Sequence, residues 1–78
     1  MTNEQKEELE DKFNYYSYLA EQNKRNLDDD DCAELYRTNI SIMWALDEAL
    51  KVLGYTFVYS HKEEYIGTKY WAYKLVKA

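Results

Sequence analysis

The sequence contains no proline, only two glycines and a single cysteine in its 78 residues. Because it also lacks a glycine- and serine-rich stretch, no segment has the composition of a linker between domains, and we expect one small domain over residues 1–78. Cys32 alone can form no disulfide within the chain, and it supplies too few ligands for a zinc site built on cysteines. We therefore predict a cytoplasmic protein that holds no metal and no cofactor.

Long hydrophobic runs are absent as well. The longest continuous apolar run covers residues 42–46, which is far too short to cross a bilayer. Residues 1–20 carry acidic side chains, not the basic start and apolar stretch of a signal peptide. The sequence therefore predicts neither export nor insertion into a membrane.

The residues that catalysis needs are scarce. His61 is the only histidine, and the only glycines, Gly54 and Gly67, are too far apart for a phosphate-binding loop. No Ser/His/Asp arrangement is evident, and Glu63, which could assist His61, falls in a predicted turn where solvent screens its charge. The four consecutive aspartates at 28–31 lack the alternating ligands of a calcium loop and suit a solvated helix start. We expect no enzymatic activity.

Charged and aromatic residues are abundant and unevenly distributed. Residues 1–53 hold 13 Asp/Glu and 6 Lys/Arg, whereas residues 54–78 hold 2 and 4, and the net charge of the chain is −5. Nine tyrosines and two tryptophans argue against a disordered chain. We therefore predict a folded molecule with an acidic part and a weakly basic, aromatic part, a division that governs which partners approach it.

The spacing of apolar residues predicts a first helix over residues 3–26. Thr2 and Gln5 have the spacing of a capping box, which satisfies the first backbone N–H groups of a helix. Tyr15 and Tyr18 lie away from the centre of the apolar side, either at its margin or partly exposed as contact residues. The side predicted to face the core consists of Leu9, Phe13, Tyr16, Ala20 and Leu27.

A second helix is predicted over residues 30–53. Asp31 and Glu34 have capping-box spacing at its start, and Gly54 provides the left-handed residue that commonly ends a helix. Two helices of matched length joined by a short turn should pack antiparallel. The apolar side of the second helix consists of Leu35, Ile42, Leu46, Ala49 and Leu53, widened by Tyr36, Met43 and Leu50.

In the last third of the chain apolar residues alternate with polar ones, which predicts strands over residues 55–61 and 68–76. The residues between them form either a hairpin loop or a bulged extension of the second strand. A lone two-stranded ribbon is marginal in water, so the face with Phe57, Trp71 and Leu75 should lie on the helices. We predict an α+β fold, in which an antiparallel helical hairpin is followed by a two-stranded antiparallel β-hairpin packed on it (α-α-β-β).

The predicted hairpin leaves both of its strands as sheet edges, and unpaired edges are templates for strand addition. Pairing of this hairpin edge with a second molecule would give a homodimer. Lysine side chains can instead guard an edge against such pairing. Both alternatives stay open from the sequence, since the hairpin carries Lys62, Lys69, Lys74 and Lys77.

We interpret the chain as a non-enzymatic binding protein. Acidic helices attract basic surfaces, and the largest basic surfaces in a cell are nucleic-acid-binding channels, so carboxylates at phosphate-like intervals would mimic nucleic acid. The tyrosine-rich hairpin would add a second contact. The acidic residues predicted to bind the basic partner protein are Glu7, Glu10, Asp11, Glu21, Asp28, Asp29, Asp30, Asp31 and Glu34, and the predicted hairpin contacts are Tyr65, Lys69, Tyr70 and Trp71.

Three alternatives accompany this interpretation. The aromatic and basic residues of the hairpin also suit a single-stranded nucleic-acid binder, in which rings stack on bases and cations follow phosphates, although the net negative charge opposes it. A purely structural homo-oligomer is the second alternative. The third is an acidic surface that only keeps the protein soluble.

Small size, acidity, tyrosine richness and the lack of catalytic motifs together resemble the accessory inhibitors carried by bacteriophages and mobile elements, including anti-CRISPR proteins. The resemblance is one of composition and assigns no role to a particular residue. It implies an inhibitor that binds a nucleic-acid-handling effector.

Overall fold

Two helices are followed by an antiparallel two-stranded sheet that packs on them, which confirms the predicted α-α-β-β fold. The computed structural model describes residues 1–78, with α1 at Asn3–Lys24, α2 at Asp30–Val52, β1 at Tyr55–Tyr65 and β2 at Thr68–Lys77. α1 packs against both α2 and β2, whereas β1 lies against α2. Neither helix contains a stretch that is long and apolar enough to span a bilayer.

The helix starts show one confirmed cap and one corrected cap. The Thr2 hydroxyl accepts a hydrogen bond from the Gln5 N–H at 3.1 Å, and the Gln5 side chain accepts one from the Thr2 N–H at 3.0 Å, so the predicted capping box is present. In α2 the cap is Asp29, one of the aspartates at 28–31 predicted to start the helix, whereas the capping box predicted between Asp31 and Glu34 is not formed. The Asp29 carboxylate accepts from the N–H groups of Asp31 and Cys32, two and three residues on, as an N-cap does.

The core is small and centres on a pair of stacked phenylalanines. Phe13 of α1 and Phe57 of β1 stack with their ring centroids 3.8 Å apart. They are joined by Met43 and Leu50 of α2 and by Leu75 of β2, which is fully buried. All four elements therefore contribute to one hydrophobic cluster.

Three leucines that the sequence placed in the core are exposed. Leu27 lies beyond the end of α1 and is 47% exposed. Leu35 and Leu53 lie at the margin of the packed side of α2, because the buried residues of this helix are Asn39, Met43 and Leu50. The predicted widening by Met43 and Leu50 is therefore confirmed, and the row of Leu35 and Leu53 lies about a sixth of a turn to one side of the buried residues.

The hairpin is longer and more tightly closed than predicted. β1 continues to Tyr65, and Ile66 and Gly67 alone form the turn, so the hairpin loop predicted as one alternative is wrong. The other alternative, a bulged strand extension, is present, but in β1 and not in β2. Both turn residues have positive φ, 48° and 77°, as in the type I′ turn that matches the twist of a two-residue hairpin. One extra residue of β1, Ser60, is a bulge, because the residues on either side of it pair with adjacent residues of β2.

The hairpin face predicted to contact the helices does so only in part. Phe57 and Leu75 face each other across the strands and are buried, whereas Trp71 is 39% exposed. No residue of β1 after Phe57 is buried. The hairpin therefore extends beyond the region that α2 covers, which leaves its aromatic residues near the turn accessible.

Candidate functional site

Polar side chains of α1 bind the backbone along the outer edge of β2. The Asn14 carboxamide accepts a hydrogen bond from the Tyr73 N–H at 2.8 Å and donates one to the Tyr73 carbonyl at 3.1 Å. One turn further along, the Ser17 hydroxyl donates to the Trp71 carbonyl at 2.6 Å. The helix therefore occupies the edge of the sheet where another strand would otherwise pair.

The same edge uses one residue that the sequence assigned to partner binding. A Glu10 carboxylate oxygen accepts a hydrogen bond from the Leu75 N–H at 2.7 Å. Glu10, Asn14 and Ser17 recur at spacings of four and three, so they lie on one side of α1. Glu10 thus has a role in holding the hairpin on α1, whatever else its carboxylate contacts.

Other carboxylates of α1 form an exposed acidic stripe. Glu4, Glu7, Glu8 and Asp11 recur at spacings of three, one and three, which places them on one side of the helix. All four side chains are exposed. No cationic nitrogen lies within 4 Å of them, because the carboxylates with such a partner are those of Asp47, Glu48 and Glu63.

The remaining predicted acidic residues lie elsewhere. Residues 28–31 and Glu34 form an aspartate cluster at the start of α2, and because the helices are antiparallel it lies at the opposite end of the molecule from the acidic stripe. Glu21 is half-buried and lines a small cavity with Lys24, Arg25 and Lys69. The predicted acidic residues therefore do not form one face. They lie in the acidic stripe and in the aspartate cluster, except for Glu10 and Glu21, which lie beside the hairpin.

A groove lies between α1 and one face of the hairpin, next to the acidic stripe. We call it the tyrosine groove, and its volume is about 430 Å³. Asp11 belongs both to the acidic stripe and to the wall of this groove. The groove is lined by Glu10, Asp11, Asn14, Tyr15 and Tyr18 of α1, by His61, Glu63 and Tyr65 of β1, and by Tyr70, Ala72, Tyr73 and Lys74 of β2.

Three of its tyrosines pack edge to face. The ring of Tyr18 lies 5.4 Å from that of Tyr65 and 5.7 Å from that of Tyr70, with interplanar angles of 77° and 79°. Burial, followed by the negative charge of Glu63, raises the pKa of the Tyr70 hydroxyl above its ordinary value. The groove thus combines aromatic surface with a negative potential.

The four predicted hairpin contacts do not form one surface. Tyr65 and Tyr70 line the tyrosine groove, whereas Trp71 and Lys69 point to the other face of the hairpin, because side chains alternate along a strand. The centres of the Trp71 and Tyr59 rings are 4.6 Å apart. The Lys62 ammonium lies over the Trp71 ring, 4.6 Å from the centre of that ring. These three residues form a separate aromatic and basic cluster.

A hydrogen-bonded Ser/His/Glu chain, which the sequence analysis did not identify, lies at the bulge of β1. The Ser60 hydroxyl is 2.8 Å from His61 Nδ1, and His61 Nε2 is 2.6 Å from the Glu63 carboxylate. The side chains of His61 and Glu63 are about half exposed, and both residues lie in β1 and not in the turn predicted for Glu63.

Two further sequence features have simple places in the structure. Cys32 is a free, half-buried thiol in the first turn of α2. No three His, Cys, Asp or Glu side chains converge in a way that could hold a metal ion.

Comparison with protein-family models, with curated proteins and with solved structures found no match to this chain.

Sequence reasoning missed the tyrosine groove as a unit because its wall combines distant segments. Tyr18 meets Tyr65 and Tyr70 only after the hairpin folds back along α1. The signal in the sequence was the pair Tyr15 and Tyr18, three residues apart and outside the apolar side of their helix. A partly exposed contact role was one of the two alternatives stated for them.

Proposed function

We propose that this protein is a non-enzymatic binding protein whose acidic stripe contacts the basic, nucleic-acid-binding surface of a partner protein. The observation that carries the proposal is the exposed row of Glu4, Glu7, Glu8 and Asp11, none of which has a cationic neighbour within 4 Å. Carboxylates left unpaired on one side of a rigid helix create a concentrated negative potential. Such a potential steers a basic partner toward that side and accelerates association.

The partner is proposed to be a nucleic-acid-handling effector in the cytoplasm. A row of carboxylates on a helix offers repeated negative charge to the Lys and Arg side chains that otherwise bind phosphates. Occupation of that surface would exclude the nucleic acid and inhibit the effector. The composition shared with phage and mobile-element inhibitors, including anti-CRISPR proteins, favours the same mode of action.

Affinity capture from a bacterial lysate, followed by mass spectrometry, would identify the partner, and association with the purified partner would then be measured. We expect the double variant Glu7→Lys/Glu8→Lys to slow association about tenfold or more, and rising salt to weaken binding steeply. The matched control is Asp30→Lys/Glu34→Lys, which makes the same change in net charge within the aspartate cluster. Its effect should be clearly smaller.

Two results would contradict the proposal. Equal slowing by the two double variants would show that only net charge matters and that the acidic stripe is not the contact surface. Failure of the partner's nucleic acid to compete for binding would separate the interface from the nucleic-acid-binding surface.

A single-stranded nucleic-acid binder is the second candidate, because Tyr59, Lys62 and Trp71 cluster on the part of the Phe57 and Leu75 face that the helices leave exposed. Stacking on such rings contributes about 1–3 kcal/mol per base. A labelled oligonucleotide should then shift with the protein at low salt, and Trp71→Ala should weaken the shift. Tyr70→Ala should not, since Tyr70 lies on the other face beside Glu63.

A further inference from the structure

The tyrosine groove has the chemistry of a cation-binding site. Aromatic faces and carboxylates both favour cations, and here they line one concave surface between α1 and the hairpin. We propose that this groove binds the guanidinium group of an arginine side chain. The inference rests on the proposed function, since the arginine would belong to the basic partner protein.

The tyrosine arrangement favours a flat cation. In an edge-to-face pair one ring turns its face toward the edge of the other, so Tyr18, Tyr65 and Tyr70 present edges and faces in different directions around the groove. Tyr65 is 57% exposed and therefore has ring surface accessible to a ligand. A guanidinium group is planar and weakly hydrated, which lets it stack on such a ring at a lower desolvation cost than a lysine ammonium group.

The charges at the groove favour the same ligand. Glu63 stands on the β1 wall opposite Tyr70, at the hairpin-turn end of the groove. Asp11 has no cationic partner but stands near Leu75, about 10 Å along α1 from Tyr18, so it adds only a long-range attraction. One oxygen of Glu63 contacts His61, which leaves its second oxygen for a ligand. Burial is the main cause of the raised pKa of Tyr70, and the charge of Glu63, which adds to it, also attracts a bound cation.

The two other charged side chains at the groove are Glu10 and Lys74. Glu10 is engaged with the Leu75 N–H, and Lys74 places a positive charge among the lining residues. We therefore place the cation near Tyr65, Tyr70 and Glu63, at the hairpin-turn end of the groove, and not beside Lys74.

The experiment compares two short peptides that contain arginine and glycine or, in the matched peptide, lysine and glycine at the same positions. Binding to the full chain is measured by NMR titration and by calorimetry. We expect the arginine peptide to bind about fivefold more tightly than the lysine peptide, the size of a partly exposed cation–π contribution. The shifted resonances should include those of Tyr18, Tyr65 and Tyr70.

Conservative variants separate a binding role from a structural one. Tyr70→Leu should abolish the preference for arginine, whereas Tyr70→Phe, which keeps the aromatic ring, should retain it. Tyr36→Leu on α2 is the matched control, because Tyr36 does not line the groove, and it should leave the preference unchanged. Thermal unfolding of each variant checks that the fold is intact.

The outcomes distinguish the inference from the proposed function. Equal binding of both peptides, or a preference that survives Tyr70→Leu, would overturn the arginine site while a salt-dependent contact through the acidic stripe could still stand. Failure of both peptides to bind would overturn the arginine site too. Capture of the partner by a chain with Tyr70→Leu, and its loss with Glu7→Lys/Glu8→Lys, would show that the proposed function holds without the groove.

Discussion

Asn14 binds Tyr73 in the way that one strand binds the next. Its carboxamide oxygen accepts from the Tyr73 N–H and its amide nitrogen donates to the Tyr73 carbonyl, at 2.8 Å and 3.1 Å. A backbone partner in an antiparallel sheet would supply the same donor and acceptor. One helical side chain thus replaces a residue of a third strand.

Loss of this side chain should destabilise the domain more than its partial exposure suggests. Asn14→Ala removes two hydrogen bonds and leaves the Tyr73 N–H and carbonyl covered by α1 without hydrogen-bond partners. We therefore expect the free energy of unfolding to fall by about 2 kcal/mol. The matched control is Asn23→Ala, because the Asn23 side chain bonds only the Leu19 carbonyl of its own helix. Urea unfolding of both variants measures the difference, and equal losses would show that the edge contact contributes little.

The fold was predictable from the sequence because its strongest signals are local. The capping box at Thr2, the left-handed Gly54 after α2, with φ of 87°, and the change from helical to alternating periodicity all depend on neighbouring residues. These signals fix the order of the elements. The antiparallel packing then follows from the matched lengths and the short connection.

The side of α2 that faces the core was not predictable in the same way. Leu35, Ile42 and Ala49 form one apolar row, and Tyr36, Met43 and Leu50 form another beside it, so periodicity alone does not choose between them. The choice is made by the hairpin, since Asp47 reaches β1 only when the second row faces inward. That contact joins residues ten apart across a turn and has no local signature.

The role of Glu10 also lay outside local signals. A carboxylate in an acidic helix is most simply interpreted as part of a charged surface, yet Glu10 lies in register with Asn14 and Ser17 along the β2 edge. Asn and Ser are poor residues for the middle of a helix, because their side chains compete for backbone hydrogen bonds. Their recurrence with Glu10 at spacings of four and three was the only clue to this arrangement.

The hairpin turn contains a strained residue whose replacement should stabilise the protein. Ile66 has φ of 48°, a left-handed conformation that is costly for a β-branched residue, and its side chain is 78% exposed. Ile66→Asn creates the Asn-Gly pair that type I′ turns favour, and we expect a gain of about 1 kcal/mol. Ile66→Val keeps the β-branch and should give no gain. Thermal and urea unfolding compare the two, and a loss of stability in the asparagine variant would contradict the turn geometry.

Asp47 should make the free energy of unfolding depend on pH. Its carboxylate accepts hydrogen bonds from the Phe57 N–H and the Thr56 hydroxyl, and Lys51 lies 3.2 Å away. Partial burial opposes ionisation, but the hydrogen bond from Phe57 and those from Lys51 and Thr56, together with the charge of Lys51, hold the pKa of Asp47 below its usual value of 3.8.

The direction of the effect follows from this lowered pKa. Because the folded state binds a proton less readily than the unfolded state, the contribution of Asp47 is complete above about pH 4 and disappears as the pH falls through its folded-state pKa. We expect Asp47→Asn to lose about 1–2 kcal/mol at neutral pH and to converge with the unmodified protein in acid. Glu48→Gln is the control, since Glu48 contacts only the exposed Lys51 side chain. Parallel pH profiles for the unmodified protein and Asp47→Asn would contradict the prediction.

Homodimerisation through the hairpin stays a prediction. The edge of the sheet available for it is the outer edge of β1. The edge of β2 is bonded to α1, and Asp47 binds the start of β1, so the exposed stretch from Tyr59 to Glu64 is where a second copy would pair. Two antiparallel copies of this stretch can place Lys62 of one opposite Glu64 of the other, an attractive cross-strand pair. Self-association at high protein concentration should therefore require the outward backbone groups of Lys62 and Glu64.

A proline substitution tests that edge selectively. In an antiparallel hairpin, residue pairs that hydrogen-bond to each other alternate with pairs whose backbone groups point away from the partner strand. The Glu63 N–H therefore points toward Tyr70 of β2, whereas the Glu64 N–H points away from β2. Glu64→Pro should abolish the dimer and leave the monomer folded, while Glu63→Pro should destabilise the hairpin itself. Sedimentation over a range of concentrations and circular dichroism measure the two effects. A dimer that persists in Glu64→Pro would have to use another surface, and a monomer at every concentration would leave Lys62 and its neighbours as guards of the edge.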